Sequence, residues 1–119
     1  MTDPRLEFTV TGSAEAAGPD TVAVTRVTAD SVTLEGTMSA PNPCYSIEPT
    51  LSTEGSSLRL SLAATARPMI CPQVLVRYRY EARITALAPG TYALAVTYAY
   101  PNTGWERRVF ELTARVTGS

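Results

Sequence analysis

The segment QVLVRYRYEARITALAPGTYALAVTYAY, residues 73–100, decides the fold class because apolar and polar residues alternate along most of it. One face of its first half carries Val74, Val76, Tyr78, Tyr80, Ala82 and Ile84. The opposite face carries Arg77, Arg79, Glu81 and Arg83. A period of two residues is that of a β-strand with one buried face. The segment therefore predicts two strands, at 73–87 and 91–100, joined by a turn that contains Pro89 and Gly90.

The same alternation continues on both sides of this segment, whereas helical periodicity is almost absent. Further strands are predicted at residues 5–11, 21–27, 31–38, 44–52, 58–65 and 105–116. Turn-forming residues separate them, and GSAEAAGPD (12–20) predicts a loop or at most one helical turn. Gly36 is expected to mark a bulge, and Pro49 an edge strand or a bulge. Seven or eight short strands with regularly spaced turns predict an all-β fold, an antiparallel β-sandwich.

Residues 80–100 resemble the passage between strands E and F of fibronectin type III and bacterial immunoglobulin-like domains. The resemblance lies in Leu87 at the end of one strand, Pro89 and Gly90 in the turn, and Tyr92 opening the next strand. It implies an immunoglobulin-like sandwich in which the Tyr92 hydroxyl bonds back across the corner. It also implies a binding or spacing role rather than catalysis. The chain departs from antibody domains, whose cysteines lie on the paired B and F strands.

The composition favours one globular domain over residues 1–119, with 45% hydrophobic and 18% charged residues. The net charge of −1 leaves no basic field that would attract nucleic acid. The apolar runs are too short for a membrane-spanning helix. The first residues, MTDPRLEFTV, lack the pattern of a signal peptide. All ten basic residues are Arg, a usage typical of GC-rich bacterial genomes.

The chain contains no His, and this absence excludes several classes of site. Neither a Ser-His-acid nor a Cys-His nucleophile system can be built, and a blue-copper site needs two His. Two Cys without His cannot complete a tetrahedral zinc site within one chain. The carboxylates stand about one to a strand and are expected on solvated faces: Glu48, Glu54, Glu81 and Glu111. We expect no enzyme, no metal site and no cofactor.

The only two cysteines, Cys44 and Cys71, each stand beside prolines. The strands at 44–52 and 58–65 should form a hairpin that brings residue 44 close to residue 67. The sulfur of Cys71 then comes within reach at the open end of this hairpin. We expect a disulfide; two separate buried thiols and a redox or metal pair are the alternatives. The bridge would close a loop of about 28 residues, worth about 3–4 kcal/mol in the chain-entropy model.

The hairpin YAYPNTGWERR, residues 98–108, brings aromatic and basic side chains together. Its candidate binding residues are Tyr98, Tyr100, Trp105, Arg107 and Arg108. Tyr, Trp and Arg dominate binding hot spots, and aromatic rings also stack on sugars. The competing interpretation, which we favour, is that both tyrosines close the end of the core and Trp105 shields the hairpin. The outer row of Arg77, Arg79 and Arg83 is expected to be a solvated face with cross-strand ion pairs.

These features predict a non-catalytic binding or structural module of a bacterial cell-envelope or secreted protein. A disulfide favours an oxidising compartment, so the expected location is the periplasm, the cell surface or the exterior, with the signal peptide removed; a cytoplasmic location is the alternative. A protein or a glycan is the expected partner. A second class is a protease inhibitor or chaperone-like protein that presents a rigid loop, such as 39–46 or 100–105, to a partner's cleft.

Overall fold

The computed structural model describes residues 4–15, 18–101 and 103–118, and every regular element in them is a strand. The strands are β1 (Arg5–Glu15), β2 (Val22–Val27), β3 (Val32–Ala40), β4 (Tyr45–Glu54), β5 (Ser57–Ala66), β6 (Val76–Thr85), β7 (Gly90–Ala99) and β8 (Arg108–Val116). The predicted all-β class is confirmed, and each strand overlaps a segment in which the sequence alternates.

The strands form two four-stranded sheets, in the orders β1-β6-β3-β2 and β4-β5-β7-β8. Their inner faces share one apolar core, which makes the fold the predicted β-sandwich. All neighbours pair antiparallel except β5 and β7, which run parallel. This pair departs from the expected antiparallel pattern because the chain passes through β6 in the opposite sheet between them. That passage returns β7 to the direction of β5.

The inner face of β6 follows the sequence pattern over most of its length. Tyr80, Ala82 and Ile84 are buried, whereas Tyr78 is half-buried. Val74 is 43% exposed and precedes β6, so its assignment to the inner face is wrong. The physical reason is that residues 67–75 form the connection between the two sheets, where alternation no longer reports a buried face.

Two further details of the sheets correct or confirm the sequence pattern. The register from β3 to β6 is continuous through Gly36, so no bulge lies there. The irregularity is on β2 instead, between Val24 and Arg26. Pro49 lies on β4, which is an edge strand of its sheet as expected.

The loop predicted at 12–20 begins later than expected. β1 continues to Glu15 after a register shift between Val10 and Gly12, and it keeps its pairing with β6. Residues 16 and 17 lie outside the described residues. The alternation is lost at the shift because a bulge changes which side chains face the core.

The connections between strands divide the sandwich into two different ends. One end holds the links from β1 to β2, β3 to β4, β5 to β6 and β7 to β8. The strand pairing shows this, because residues next to these links are partners: Ala40 with Val76, Tyr45 with Ala66, and Tyr98 with Arg108. We call this the loop-bearing end. The opposite end holds the shorter turns at 28–31, 55–56 and 86–89. Both cysteines and the candidate binding residues beyond β7 therefore meet at the loop-bearing end.

The corner between β6 and β7 contains the hydrogen bond that the resemblance implied. The Tyr92 hydroxyl donates to the carbonyl oxygen of Ala88 at 2.6 Å. Ala86, just before it, has a φ of 61°, which turns the chain from one sheet to the other.

Candidate functional site

A disulfide between Cys44 and Cys71 joins two connections at the loop-bearing end. Cys44 lies on the link from β3 to β4, and Cys71 on the link from β5 to β6; their Cα atoms are 6.1 Å apart. The Arg67 amide also donates to the Cys44 carbonyl at 2.9 Å. Residues 44 and 67 therefore meet as the hairpin register predicted. The bridge ties together two of the chain's crossings between the sheets.

A buried carboxylate, Asp20, holds the end of the link from β1 to β2 against β3 and β6. It accepts hydrogen bonds from the Ser39 amide at 2.9 Å and from the Ser39 hydroxyl at 2.8 Å. Its Oδ1 lies 3.4 Å from Nε of Arg77, and the same guanidinium bonds the Gly18 carbonyl. This wall of the site is thereby fixed by both charge and hydrogen bonding.

Arg77 corrects one expectation, and Asp20 is a site residue that the sequence did not single out. The sequence placed Asp20 in a loop, and an aspartate after Gly-Pro carries no signal beyond turn chemistry. Arg77 was assigned to a solvated row, but its side chain is only 18% exposed because it turns toward Asp20. Arg79 and Arg83 do lie on the solvent side, and Arg83 approaches Glu7 at 3.9 Å.

Three tyrosine hydroxyls connect the two sheets beside Asp20. Tyr98 donates to the Thr37 carbonyl and Tyr100 to the Ser39 carbonyl, each at 2.8 Å. The Tyr80 and Tyr98 hydroxyls lie 2.7 Å apart, so Tyr80 donates to Tyr98. Tyr98 is completely buried. It therefore cannot touch a partner, and we remove it from the candidate binding residues.

Burial keeps these phenols neutral. Burial, opposed by the hydrogen bond between the Tyr80 and Tyr98 hydroxyls and reinforced by Asp20, raises the pKa of Tyr80 to about 12. Burial and then Asp20, opposed by Arg108, raise the pKa of Tyr100 to about 12. Burial raises the pKa of Tyr98 further still. All three remain hydrogen-bond donors near neutral pH.

A groove of about 460 Å³ opens above Tyr100 and Asp20. It is lined by Gly18, Pro19, Asp20, Ser39, Tyr100, Trp105, Glu106, Arg107 and Arg108. The Trp105 ring is tilted over Tyr100 with centroids 5.1 Å apart, and Trp105 is 37% exposed. The groove brings together four of the five predicted residues and adds a second wall from the link between β1 and β2, which the sequence could not place.

The loop of residues 67–75, which we call the cystine loop, exposes a second surface at the same end. Its exposed apolar side chains are Met69, Ile70, Val74 and Leu75. The sequence missed this surface because Val74 continues the alternation of β6. By contrast, the proposed presenting loop at 39–46 is largely covered, with Cys44 and Tyr45 buried.

The family model of the ORF11 beta-sandwich domain matches residues 34–112, more than half of the chain. The chain belongs to this family. No curated protein and no solved structure matches it. The match with the ORF11 family runs from β3 into β8 and so includes both cysteines and Trp105.

Two further observations concern the part of this ORF11 domain that the structure describes. No three or more acidic, His or Cys side chains converge there as metal ligands. Nor does that part contain a helix with the length and apolar character needed to cross a bilayer.

Proposed function

We propose that this domain is a non-catalytic binding module of a bacterial cell-envelope or secreted protein. We place its binding site, for a protein or a glycan, in the groove beside Trp105. The observation that carries this proposal is the partly exposed Trp105 ring above a concave surface walled by Arg107, Arg108 and Asp20. Concave sites with an aromatic surface and a few convergent polar groups are typical of ligand binding.

The contacts around the groove support this use because its walls are ordered before any ligand arrives. Asp20 is held by Ser39 and Arg77, and Tyr100 is held by the Ser39 carbonyl. A preordered site loses less conformational entropy on binding. The exposed Trp105 face offers stacking to a sugar ring or an apolar side chain, and the two arginines offer donors to its polar groups.

The same contacts favour binding over catalysis. Asp20 is the buried carboxylate of the groove, and its oxygens already accept hydrogen bonds from Ser39. The chain has no His to act as a base beside it. The disulfide supports an extracytoplasmic location, since such bonds persist in oxidising compartments. The Tyr92 corner supports the finer likeness to immunoglobulin-like domains, whereas the parallel β5–β7 pair does not.

Trp105 is the single Trp of the chain, so its fluorescence reports directly on the groove. We expect glycans or proteins that bind the domain to change its emission, using a glycan array and immobilised cell-envelope proteins as probes. Trp105→Ala should weaken such binding about 10-fold or more, with little change in melting temperature. Arg107→Ala should weaken it less.

Matched controls lie at the opposite end of the sandwich. Val27→Ala removes an exposed apolar side chain and Arg115→Ala an exposed arginine, and both should leave binding unchanged. Unchanged binding by the folded Trp105→Ala variant would contradict the proposal.

Presentation of a rigid loop to a partner is the second candidate function. The specific observation in its favour is the exposure of Ile70 and its apolar neighbours on a loop anchored by Cys71. This loop replaces 39–46 as the segment suited to the role, because 39–46 is largely covered.

A further inference from the structure

The groove presents more positive than negative charge to a ligand. Arg107 and Arg108 line it and are exposed, whereas Glu106 is the one exposed acidic residue among its described lining. The side chain of Asp20 is only 3% exposed, and Arg77 lies 3.4 Å from its carboxylate as a counter-charge. Asp20 therefore shapes the wall without repelling an anion strongly, and the groove is suited to a negatively charged ligand.

Both arginines keep their hydrogen-bond donors for a ligand. Within the described part of the chain, neither Arg107 nor Arg108 forms an ion pair with an acidic side chain. Burial and Asp20 raise the pKa of Tyr100, and the Arg108 charge opposes this rise, so the guanidinium lies near the phenol. A guanidinium carries its donors in a planar fork that matches the oxygens of a carboxylate or a phosphate.

The Trp105 ring is positioned by the turn that precedes it. The Thr103 hydroxyl donates to the Tyr100 carbonyl at 2.8 Å and accepts a hydrogen bond from the Trp105 amide at 3.0 Å. Gly104, between them, has a φ of 79°, a left-handed conformation that glycine adopts without strain. The Tyr100 ring contacts the indole at a centroid distance of 5.1 Å. The indole is therefore a preordered apolar surface beside the two cations.

The dimensions of the groove favour a saccharide over a protein surface. Its volume of about 460 Å³ falls within the range of small-ligand sites, about 300–1,000 Å³. A stable protein interface instead covers about 800 Å² on each partner. A sugar ring has an apolar C–H face and a polar rim, which correspond to the aromatic surface and the polar walls of the groove.

We infer that the ligand of this groove is an acidic glycan. Its sugar ring stacks on Trp105, while its carboxylate or phosphate group pairs with Arg107 and Arg108. The inference rests on the proposed function, because it names the ligand of the same groove. An acidic peptide is a less suited occupant, since it has the charge without the sugar ring.

Isothermal titration calorimetry of the oxidised protein with two matched pairs of glycans tests the inference at about 0.15 M salt. One pair is oligogalacturonate and its methyl ester, and the other is a phosphomannan and its dephosphorylated form. We expect at least one acidic glycan to bind about 10-fold more tightly than its neutral counterpart, because it gains charge-assisted hydrogen bonds.

Two variants separate the charge from the aromatic surface. Arg107→Gln/Arg108→Gln should bind the acidic and neutral members of a pair equally, whereas Trp105→Ala should weaken the binding of both. The matched control is Arg26→Gln/Arg115→Gln, which removes two exposed arginines at the opposite end of the sandwich. This control should keep the full preference for the acidic glycan.

The outcomes separate this inference from the proposed function. Neutral glycans or envelope proteins that bind through Trp105, without any acid preference, would overturn the inference and keep the proposed function. Binding that the folded Trp105→Ala variant retains unchanged would overturn both. An acid preference that the control variant loses equally would show general electrostatic attraction and overturn the inference. Oligoglutamate binding through Trp105 more tightly than either acidic glycan, or no binding of any of the four glycans, would also overturn it.

Discussion

Gly36 permits a close approach of Tyr80 and of the Thr21 backbone to β3. A Cβ atom at this position would lie 2.6 Å from the Tyr80 hydroxyl oxygen and 2.7 Å from the Thr21 carbonyl oxygen. The first neighbour is held in the buried hydrogen bond with Tyr98, and the second is backbone. Neither can move without disturbing the core, so glycine is needed here for space rather than for an unusual φ.

Gly36→Ala should therefore lower the free energy of unfolding by about 2–3 kcal/mol, the range for overpacking a core. Urea denaturation at neutral pH measures the change. Gly12→Ala is the matched control, because Gly12 is also a strand glycine but has no atom within 4 Å of the added Cβ. The control should be neutral or slightly stabilising. Equal effects of the two substitutions would show that the contact with Tyr80 is not limiting.

At the scale of elements, Tyr98 on β7 and Tyr100 just after it complete a strand edge that β2 leaves open. β2 begins at Val22, opposite Gly36, so no strand among the described residues flanks β3 on that side beyond this point. The amides of Thr37 and Ser39 bond Thr21 and Asp20 instead. Their carbonyls, on the same side of β3, accept from Tyr98 and Tyr100. Side chains of one sheet thus satisfy the backbone of the other.

This arrangement makes stability fall in alkaline solution. The pKa values of Tyr80 and Tyr100 are raised to about 12 in the folded protein, against about 10 in an unfolded chain. The stabilisation that a raised tyrosine pKa provides is fully present below a pH of about 10. It is lost as pH rises toward 12, because the unfolded state then releases its protons first.

Urea denaturation should show little change between pH 7 and 9 and a progressive loss above pH of about 10. Tyr80→Phe should flatten this alkaline decline, because it removes one of the groups whose pKa is raised by burial. Phenolate absorbance that develops fully near pH 10 in the folded protein would contradict the expected burial effect.

The strands were predictable because alternation with period two is a local property that survives in each element. The pairing of β5 with β7 was not, since it depends on the route through β6 in the other sheet. Tyr100 and Trp105 could be predicted to lie at the same site because one hairpin contains both residues. Asp20 reaches that site from a distant connection, and nothing near it in the sequence specifies Ser39 or Arg77 as partners. Val74 was wrongly predicted to face the core, because the alternation of the sequence continues past the point where side chains are buried.

At the scale of the whole molecule, the loop-bearing end is stabilised by different bonds on its two sides. Asp20 and the tyrosines order the side that holds the groove. The disulfide orders the side that holds the cystine loop. The core between the sheets is continuous, so both surfaces lie at the end of one hydrophobic core. Loss of the disulfide should therefore disturb the cystine loop more than the groove.

The double variant Cys44→Ser/Cys71→Ser measures this division. With a sequence separation of 27 between the cysteines, the chain-entropy model gives a loss of about 3–4 kcal/mol in the free energy of unfolding. The variant should still fold near neutral pH and keep the fluorescence of Trp105, because Asp20 and Tyr100 retain their bonds. Limited proteolysis should then cut within 67–75 first, since that loop loses its anchor.

Two results would contradict this assignment. Two alkylatable thiols in the native, unreduced protein, detected by intact mass, would show that the cysteines are not bridged. A variant as stable as the unaltered protein would show that the bridge does not restrict the unfolded chain. The unaltered protein after reduction is the control, and it should match the double variant in both stability and cleavage. Replacing cysteine by serine changes the side-chain volume little, so both samples differ from the native protein mainly by the loss of the covalent link.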